Sequence, residues 1–422
     1  MAGLRGVSAG HSLAFVVLRK IPFLTLSAGL ALAVAACDMP INQMSRMNHD
    51  DFLVLDSHLD TPLVLDRAGF DITRRHDWQR DYAQVDLPRM REGGLDGGFW
   101  VIYTAQGPLT KRGYAKALAH ARHRNRVIDE MLRAQGADFE LAVRAADAPR
   151  IAEAGKRVVY KSIENAYPLG ENIDLLDEFY AAGVRMVGLV HSTNNQFADS
   201  ATDLKGQKWG GLSPLGRRLI RRANRLGMIV DMSHAHDEAL AQAIEISATP
   251  IILSHSGAAF LHKHPRNVPD ALLKKLAQSG GVIQINSLSA YLRDSRADPN
   301  RLPEFLAIYR KYQNAPGGMR ENHVAFIAER RALDEKYPPD YAEFSDVMAH
   351  VFHTLEVMGP DHVGIGLDWD GGGGVNGLQD VSNLPKITAA LREKSVSADT
   401  IGKIWSGNML RLLRQAEDAR VQ

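Results

Sequence analysis

Residues 51–62 read DFLVLDSHLDTP, an apolar run that leads directly into a group of polar residues. Successive side chains of a β-strand point to opposite faces, so residues two apart point the same way. His58 and Asp60 would therefore aim an imidazole and a carboxylate at one spot where the strand ends. Burying a carboxylate is costly unless it is paired or binds a metal. The stretch thus predicts a functional site at the end of this strand.

Seven more apolar runs of the same kind follow, separated by helical patterns. The predicted strands are residues 52–58, 97–104, 157–165, 184–192, 227–234, 250–257, 280–287 and 362–370. Strands that alternate with helices predict a parallel sheet, and eight nearly unbroken apolar strands predict a closed (β/α)8 or TIM barrel. The long polar stretch between the last two strands predicts a helical insertion over the barrel mouth or beside it.

Polar residues lie at the ends of six of the eight predicted strands. The candidates are His58, Asp60, Glu164, His191, His234, His255 and Asp368. In a (β/α)8 barrel the carboxyl ends of the strands converge on one face, where active sites are built from several strands. Residues more than three hundred positions apart would therefore meet in one pocket.

This set of candidates contains imidazoles and carboxylates but no thiolate, which suits Zn²⁺ or another divalent transition metal. The set is too large for one ion that also keeps an open position. Two ions about 3.5–4 Å apart can share a carboxylate and a bridging hydroxide, which is a nucleophile at neutral pH because the metals lower the pKa of the water. The residues thus predict a metal-dependent hydrolase acting on a carbonyl or phosphoryl centre.

Motifs along the chain resemble the membrane dipeptidase (renal dipeptidase) family of zinc peptidases, a branch of the amidohydrolase-like barrels. The resemblance covers residues 52–413. The motifs are DSHLDTP at 56–62, KSIENAYPL at 161–169, GLVHSTNNQFAD at 188–199, the stretch 211–234, IILSHSGA at 251–258, HPRNVPDALL at 264–273 and GIGLDWDG at 364–371. Asn165 stands where the family usually has glycine after its glutamate.

The resemblance implies a role for each candidate metal ligand. His58 and Asp60 would hold one zinc ion, and His234 and His255 would hold the second. Glu164 would bridge the two ions, so the expected cofactor is two Zn²⁺ per chain. The stretch 51–62 would place His58 and Asp60 together at the strand end because one ion binds both residues.

The resemblance also implies roles toward the substrate. Asp368 would move the proton of the bridging hydroxide to the leaving amine, and His191 would stabilise the carbonyl oxygen as it becomes tetrahedral. Arg266 would bind the C-terminal carboxylate of the substrate, since its planar fork can donate two hydrogen bonds. Tyr291 would add a further contact.

These roles together predict a dinuclear zinc dipeptidase that hydrolyses the peptide bond of dipeptides with a free C-terminal carboxylate. The family accepts a D-residue at the C-terminal position and tends to form homodimers, and both properties are expected here.

Two alternatives to a dipeptidase remain open from the sequence. One is another metal-dependent amidohydrolase acting on a cyclic amide, a lactone or an N-acyl amino acid. Many such barrels bridge their metals with a modified lysine on the fourth strand, whereas residues 184–192 contain none, and Lys161 would face away from Glu164. The other is a non-enzymatic solute-binding lipoprotein, which would not need Asp368.

The first residues are typical of a secretion signal. Basic residues precede an apolar run at 21–36, which is about the length of a signal peptide and short for a membrane span. It leads into Cys37, the single cysteine of the chain, in the manner of a lipidated bacterial lipoprotein; an ordinary signal peptide or an uncleaved anchor is the alternative. We expect a signal peptide at 1–36, a tether at 37–49 and one catalytic domain at 50–422.

The expected location is the periplasmic side of a bacterial cell envelope, with a lipid anchor in the membrane. Lipidation of Cys37 would leave no free thiol, which suits an oxidising compartment. Asp38 after the cysteine favours the inner membrane, as in many Gram-negative lipoproteins.

The composition is that of a soluble globular domain, with 45% hydrophobic and 23% charged residues. Basic and acidic residues number 50 and 49, so the formal net charge is +1 and nothing points to nucleic acid as a partner. The basic run at 216–225 places its charges between apolar residues at helical spacing, which indicates a solvated helix face.

Overall fold

Eight parallel strands form the central sheet of the computed structural model, which describes residues 48–420. The strands are β1 (Leu55–Leu59), β2 (Gly97–Tyr103), β3 (Arg157–Glu164), β4 (Val184–Gly188), β5 (Ile229–Asp231), β6 (Ile252–Ala258), β7 (Val282–Ile285) and β8 (Val363–Ile365). Each strand pairs with the next one in chain order, and the short strands Phe139–Leu141 and Asn267–Val268 pair with β3 and β6. The predicted (β/α)8 barrel is confirmed.

Three strands end three or more residues earlier than the sequence predicts. β4 ends at Gly188, β5 at Asp231 and β8 at Ile365. The residues that follow include His234 and Asp368, whose φ angles of 68° and 63° lie in the left-handed region. A strand cannot continue through that conformation. These site residues therefore lie in turns just beyond the strands.

The barrel closes between β8 and β1 largely through side chains. Leu59 and Trp369 form one parallel bridge, and the Asp60 N–H donates to the Trp369 carbonyl over 2.8 Å. Below it, the Asp56 carboxylate accepts the Leu367 N–H at 3.1 Å. A side chain of β1 thus replaces part of the backbone ladder at this seam.

Helices connect successive strands and surround the sheet. They are α1 (Thr61–Leu65), α2 (Trp78–Asp81), α3 (Leu87–Glu92), α4 (Lys111–Ala134), α5 (Asp147–Glu153), α6 (Leu175–Ala181), α7 (Pro214–Leu226), α8 (Asp237–Ile246), α9 (Asp270–Gln278), α10 (Ser289–Leu292), α11 (Arg301–Gln313), α12 (Gly318–Lys336), α13 (Phe344–Met358), α14 (Pro385–Glu393), α15 (Ala398–Gly402) and α16 (Asn408–Asp418). Side-chain caps fix several starts: Thr110 caps α4, and Ser213 caps α7 ahead of Pro214.

The amino-terminal end of the barrel is filled with apolar side chains. Early residues of seven strands meet there, and they pack against Met409, Leu412 and Leu413 of α16. The strand residues are Leu55, Phe99, Tyr160, Met186, Ile229, Ile252 and Val282. The polar strand ends therefore lie at the opposite, carboxyl-terminal mouth of the barrel, above a closed apolar floor.

Helices α10 to α13 lie between β7 and β8; α13 packs against β6, β7, β8 and α9 as a barrel helix, so the insertion itself consists of α10 to α12. Its hairpin of α11 and α12 contacts the segment that follows β1, where the Arg320 carbonyl accepts the Ala68 N–H at 3.2 Å. The Tyr82 hydroxyl donates to Asp334 over 2.6 Å, and the Arg330 guanidinium lies 3.6 Å from the centre of the Tyr82 ring. The predicted helical insertion is confirmed, and it packs against the segment that follows β1.

The signal peptide, Cys37 and nearly all of the predicted tether lie outside the described residues. From residue 49 onward the chain belongs to the fold, because the buried His49 ring is hydrogen-bonded to the Gly93 carbonyl at 2.9 Å and to Thr388 at 2.7 Å. Within residues 48–420, no helix has both the length and the apolar character needed to cross a membrane.

Candidate metal centre

The structure brings together all seven side chains predicted at the strand ends. On one side, Nε2 of His58 lies 3.6 Å from Oδ2 of Asp60 and 3.6 Å from Oε2 of Glu164. Asp368 completes this side, with Oδ1 at 3.9 Å from the same His58 nitrogen. Because β1, β3 and β8 provide these groups, the cluster joins strands from opposite ends of the sequence.

The second side of the cluster contains the remaining imidazoles. Oε1 of Glu164 lies 3.0 Å from Nε2 of His234, 3.5 Å from Nε2 of His255 and 3.7 Å from Nε2 of His191. The Nε2 atoms of His234 and His255 are 2.8 Å apart. Glu164 therefore presents one carboxylate oxygen to His58 and the other to three further histidines.

Burial and neighbouring charge decide the protonation of the cluster. Burial lowers the pKa of His234 and of His255 well below the usual range, and the positive charge of Arg266 lowers both further. Burial alone would raise the pKa of Glu164, yet the neighbouring imidazoles hold it well below its usual value. Neutral imidazoles and an ionised carboxylate are the forms that bind metal ions.

Asp368 and His58 respond to the crowding of carboxylates on their side of the cluster. Burial and the charges of Asp60 and Glu164 raise the pKa of Asp368 well above its usual value. Burial would lower the pKa of His58, but Glu164 and Asp60 raise it well above the usual range. A metal ion would replace the proton on His58 and neutralise this excess of negative charge.

The residues present fit a divalent metal. Nε2 of His58, Oδ1 of Asp60 and Nδ1 of His234 are buried with no hydrogen-bond partner among the described residues. Such unpaired polar atoms are costly in a protein interior. Three groups of three residues could each hold an ion, because one donor atom from each residue lies within 4.8 Å of the other two. The groups are His58–Asp60–Asp368, His58–Glu164–His255 and Glu164–His191–His234. The donors are nitrogen and oxygen, as zinc and similar ions require.

Asn165 builds the turn after Glu164, where the family usually has glycine. Its φ of 68° is in the left-handed region, which asparagine tolerates better than most residues. Its side chain donates to the Thr104 carbonyl over 2.9 Å and to Gln106 over 3.4 Å, and it accepts from the Tyr167 N–H at 3.2 Å and from Asn195 at 3.0 Å. The asparagine thus adopts a conformation that glycine also accepts and adds four side-chain hydrogen bonds.

Arg266 and Tyr291, both predicted to contact substrate, lie beside the histidines. An Arg266 amine donates to the His255 carbonyl over 2.8 Å, and the Arg266 guanidinium lies 5.3 Å from the centre of the Tyr291 ring. Nε of Arg266 is buried and has no partner within residues 48–420. A buried cation with an unpaired donor faces the edge of the cluster.

Two tyrosines at the site were not predicted from the sequence. Tyr103 ends β2, and its ring lies 4.9 Å from the His191 ring. Tyr309 comes from α11 of the insertion, and burial together with the nearby charge of Asp60 raises its pKa. Tyr103 lies at a strand end like the other candidates, but an aromatic residue there resembles core, and nothing in the sequence marks Tyr309.

Several other histidines lie outside the cluster. His236 caps α8 by accepting the Glu238 N–H at 3.2 Å. His350 accepts the Ala258 N–H at 3.0 Å, and His353 contacts Asp270 at 2.9 Å. The Nζ of Lys161 lies 2.9 Å from Asn125 on α4, away from Glu164. These residues stabilise the barrel rather than the site.

Comparison with known proteins agrees with this geometry. Residues 42–422 match the family model described as membrane dipeptidase, peptidase family M19. Dipeptidase tcpJ from Claviceps purpurea is 32% identical over 356 residues, which are 83% of this chain and 73% of that protein.

Solved structures of the same kind superpose on the barrel. The probable dipeptidase PvdM from Pseudomonas aeruginosa is 29% identical with a TM-score of 0.75, and the match covers 90% of this chain and 99% of that chain. A metallo peptidase from Rhodobacter sphaeroides, liganded with a phosphinate mimic of L-Ala-D-Ala, is 25% identical with a TM-score of 0.68, covering 86% and 99%. The chain therefore belongs to the membrane dipeptidase family, peptidase family M19, and is a metal-dependent dipeptidase.

Proposed function

We propose that the chain is a dinuclear zinc dipeptidase that hydrolyses dipeptides with a free C-terminal carboxylate. The observation that supports this most is the position of Glu164. Its Oε2 lies 3.6 Å from Nε2 of His58, and its Oε1 lies 3.0 Å from Nε2 of His234. A carboxylate with ligands on both sides is suited to bridge two ions.

Five side chains would hold the metals in this proposal. His58 and Asp60 would bind one ion, His234 and His255 the other, and Glu164 both. The donor set of nitrogen and oxygen suits zinc. When bound, a pair of zinc ions would supply a bridging hydroxide at neutral pH by lowering the pKa of the shared water.

Asp368 and His191 would serve the bond-breaking steps. Burial raises the pKa of Asp368, so its carboxyl group can accept a proton and deliver it to the leaving amine. Burial lowers the pKa of His191, so its imidazole is neutral and can donate one N–H to the carbonyl oxygen as negative charge develops there. Tyr103, packed against His191, would hold that ring in place.

Arg266 would bind the substrate's C-terminal carboxylate. Its unpaired Nε and its burial make it a strong donor to an anion, because charge-assisted hydrogen bonds are roughly twice as strong as neutral ones. Tyr291 lies against the guanidinium and would line the same pocket.

We extend the proposal to a D-residue at the C-terminal position of the substrate. The Rhodobacter sphaeroides metallo peptidase was solved with a phosphinate mimic of L-Ala-D-Ala. Its likeness to this chain supports the same stereochemical tolerance here.

The test uses the purified chain with zinc and three compounds: L-Ala-D-Ala, L-Ala-L-Ala and L-Ala-D-alaninamide. We expect hydrolysis of both dipeptides, little of the amide, and loss of activity with a chelator that added zinc restores. Equal turnover of the amide would favour another metal-dependent amidohydrolase. Fewer than two tightly held ions per chain would overturn the dinuclear site.

We also propose a lipid anchor at Cys37 on the periplasmic side of a bacterial inner membrane, and a homodimer. The order of basic residues, apolar run and cysteine supports the anchor. Cys37→Ser should move the enzyme from the membrane fraction to the soluble periplasm; unchanged membrane association would contradict lipidation. Sedimentation of the soluble form should give the mass of a dimer.

A further inference from the structure

One serine hydroxyl contacts the rear nitrogens of two histidines in the cluster. Oγ of Ser254 lies 2.9 Å from Nδ1 of His255 and 3.4 Å from Nδ1 of His58. The same hydroxyl lies 2.6 Å from Oδ2 of Asp231. All four residues are buried. The hydroxyl therefore joins a carboxylate below the site to two imidazoles within it.

The direction of these hydrogen bonds follows from the chemistry of the partners. Asp231 can only accept when ionised, and 2.6 Å is typical of a hydroxyl that donates to a carboxylate. The single hydroxyl hydrogen is then committed, and the remaining lone pairs of Ser254 Oγ face the two Nδ1 atoms. Each Nδ1 must carry a hydrogen to form its bond, which leaves each Nε2 with a free lone pair.

Asp231 is itself held rigidly at the end of β5. Its Oδ1 accepts the Ser233 N–H at 2.9 Å and the Ser254 N–H at 3.0 Å. Ser233 in turn accepts the His255 N–H at 3.0 Å. The carboxylate is thus oriented by one backbone donor in the turn after β5 and one on β6, and Oδ2 is left for the Ser254 hydroxyl.

We propose that Asp231 and Ser254 are positioning residues that hold His255, and more weakly His58, as Nδ1–H tautomers with Nε2 turned toward the metals. A hydrogen-bond partner on the ring nitrogen that does not bind the metal fixes the orientation and the tautomer of a metal-bound histidine. The inference rests on the proposed function, in which His58 and His255 bind different ions. One hydroxyl would then support one ligand of each ion and couple the two sites.

His234 provides a contrast within the same cluster. Its Nδ1 is buried with no hydrogen-bond partner among residues 48–420. Its orientation depends instead on the turn in which it lies, where φ is 68°. Asp231 and Ser254 therefore position two of the three imidazoles assigned to the metals, His58 and His255.

Asp231→Asn is the most selective test. The amide keeps an oxygen for the Ser233 and Ser254 N–H groups but presents an NH₂ to Ser254 Oγ, so the hydroxyl hydrogen loses its carboxylate acceptor and is left with Ser233 Oγ at 3.5 Å or an imidazole nitrogen. In the zinc-loaded enzyme with ¹⁵N-labelled histidine, wild type should show His255 as Nδ1–H with Nε2 on the metal. The variant should lose that signature, and chelator competition should show zinc affinity lower by 10–100-fold, the scale known for such partners.

Ser254→Ala should lower zinc affinity by a similar factor, and if that variant does not fold, Asp231→Asn alone decides. The matched control is Ser57→Ala, because the Ser57 hydroxyl donates to the Ser254 carbonyl over 2.6 Å and contacts no imidazole. It should cost stability and leave the histidine spectrum unchanged.

Two results would distinguish a failure of the proposed function from a failure of the positioning role. Wild-type protein with fewer than two zinc ions would sink the proposed function. The second result is a wild-type protein that holds two ions and an Asp231→Asn variant that keeps both its zinc affinity and the His255 tautomer. This result would overturn only the positioning role of Asp231 and Ser254.

Discussion

Strained backbone occurs at the residues that form the site. His234 and Asp368 each lie three residues beyond a strand, with φ angles of 68° and 63°. A non-glycine residue in such a conformation costs of order 1–3 kcal/mol, and it persists only where the surroundings hold it. The turn redirects each side chain from the strand direction into the cluster.

Asp368→Asn separates proton transfer from metal binding. The amide cannot shuttle a proton, so kcat should fall by roughly 10²-fold or more, the scale of general acid–base catalysis. Zinc content, measured by atomic absorption, should stay nearly unchanged. Loss of one zinc would instead make Asp368 a ligand together with His58 and Asp60, with which it forms a compact group. Normal turnover would remove the proposed shuttle.

Asn165 offers a graded test of the turn after Glu164. Asn165→Gly keeps the left-handed conformation but loses four side-chain hydrogen bonds, worth about 1 kcal/mol each. Asn165→Ala loses the same bonds and adds about 1 kcal/mol of backbone strain. The free energy of unfolding should therefore fall in the order wild type, glycine variant, alanine variant. An alanine variant as stable as the glycine variant would contradict the strain.

Gly371 is required because two carboxylates lie against it. A Cβ at this position would lie 2.1 Å from Oδ2 of Asp60 and 2.3 Å from Oδ1 of Asp368. Gly371→Ala should displace both groups and lower zinc affinity at least tenfold by chelator competition. Gly402→Ala is the control, because its Cβ would meet nothing nearer than 3.7 Å. Equal zinc affinity in both variants would contradict this account.

The sequence reveals a site residue only where its side chain differs in chemistry from the apolar run before it. His58, Glu164 and Asp368 stand out because charged or imidazole groups follow apolar runs. Tyr103 does not, because an aromatic residue that ends an apolar strand resembles core. Tyr309 lies more than two hundred positions from the nearest metal candidate on β1, and its contact depends on how a helix docks.

At the scale of elements, apolar runs predict which strands exist but not where they end. All eight strands were predicted, yet β4, β5 and β8 stop three or more residues early. Where a strand ends depends on backbone pairing with its neighbours, which composition alone does not report. The location of the insertion likewise depends on contacts made by Tyr82 and Arg330, which no local pattern reveals.

Tyr82→Phe tests how the insertion is held. It removes the hydrogen bond from the Tyr82 hydroxyl to Asp334, so α11 and α12 should lose about 1 kcal/mol of local stability. Hydrogen exchange followed by mass spectrometry should show faster exchange there and no change in the barrel strands. The control is Tyr337→Phe, whose hydroxyl bonds Glu304 within the hairpin. Faster exchange in the control but not in Tyr82→Phe would contradict docking through Tyr82.

At the scale of the whole molecule, one end of the barrel is apolar and the other is polar. The floor formed with α16 excludes water, and all candidate ligands lie at the mouth. This division follows from the sequence, since apolar runs form the strands and polar site residues follow six of the eight. Stability and chemistry are therefore located at opposite ends of the same strands.

Acid should destabilise the fold partly through His350. Burial lowers the pKa of His350 to about 4, while an unfolded histidine titrates near 6.5. Its neutral ring accepts the Ala258 N–H, so its contribution is complete above pH 6.5 and is lost as the pH falls toward 4. The loss is up to roughly 3 kcal/mol.

His350→Asn removes this titration while an amide oxygen can still accept from Ala258. The variant should lose less free energy of unfolding between pH 7 and pH 5 than wild type, as measured by urea denaturation. Identical losses would show that His350 does not contribute to acid sensitivity.

The seam between β8 and β1 has a consequence for the order of events in the cell. Asp368 follows His58 by 310 residues and lies beyond β8, so the cluster of candidate ligands cannot form until β8 and the residues after it have been synthesised. If the chain is exported unfolded, as a signal peptide implies, folding finishes only after translocation. The ions available in that compartment, and not those of the cytosol, would then determine which metal the enzyme acquires.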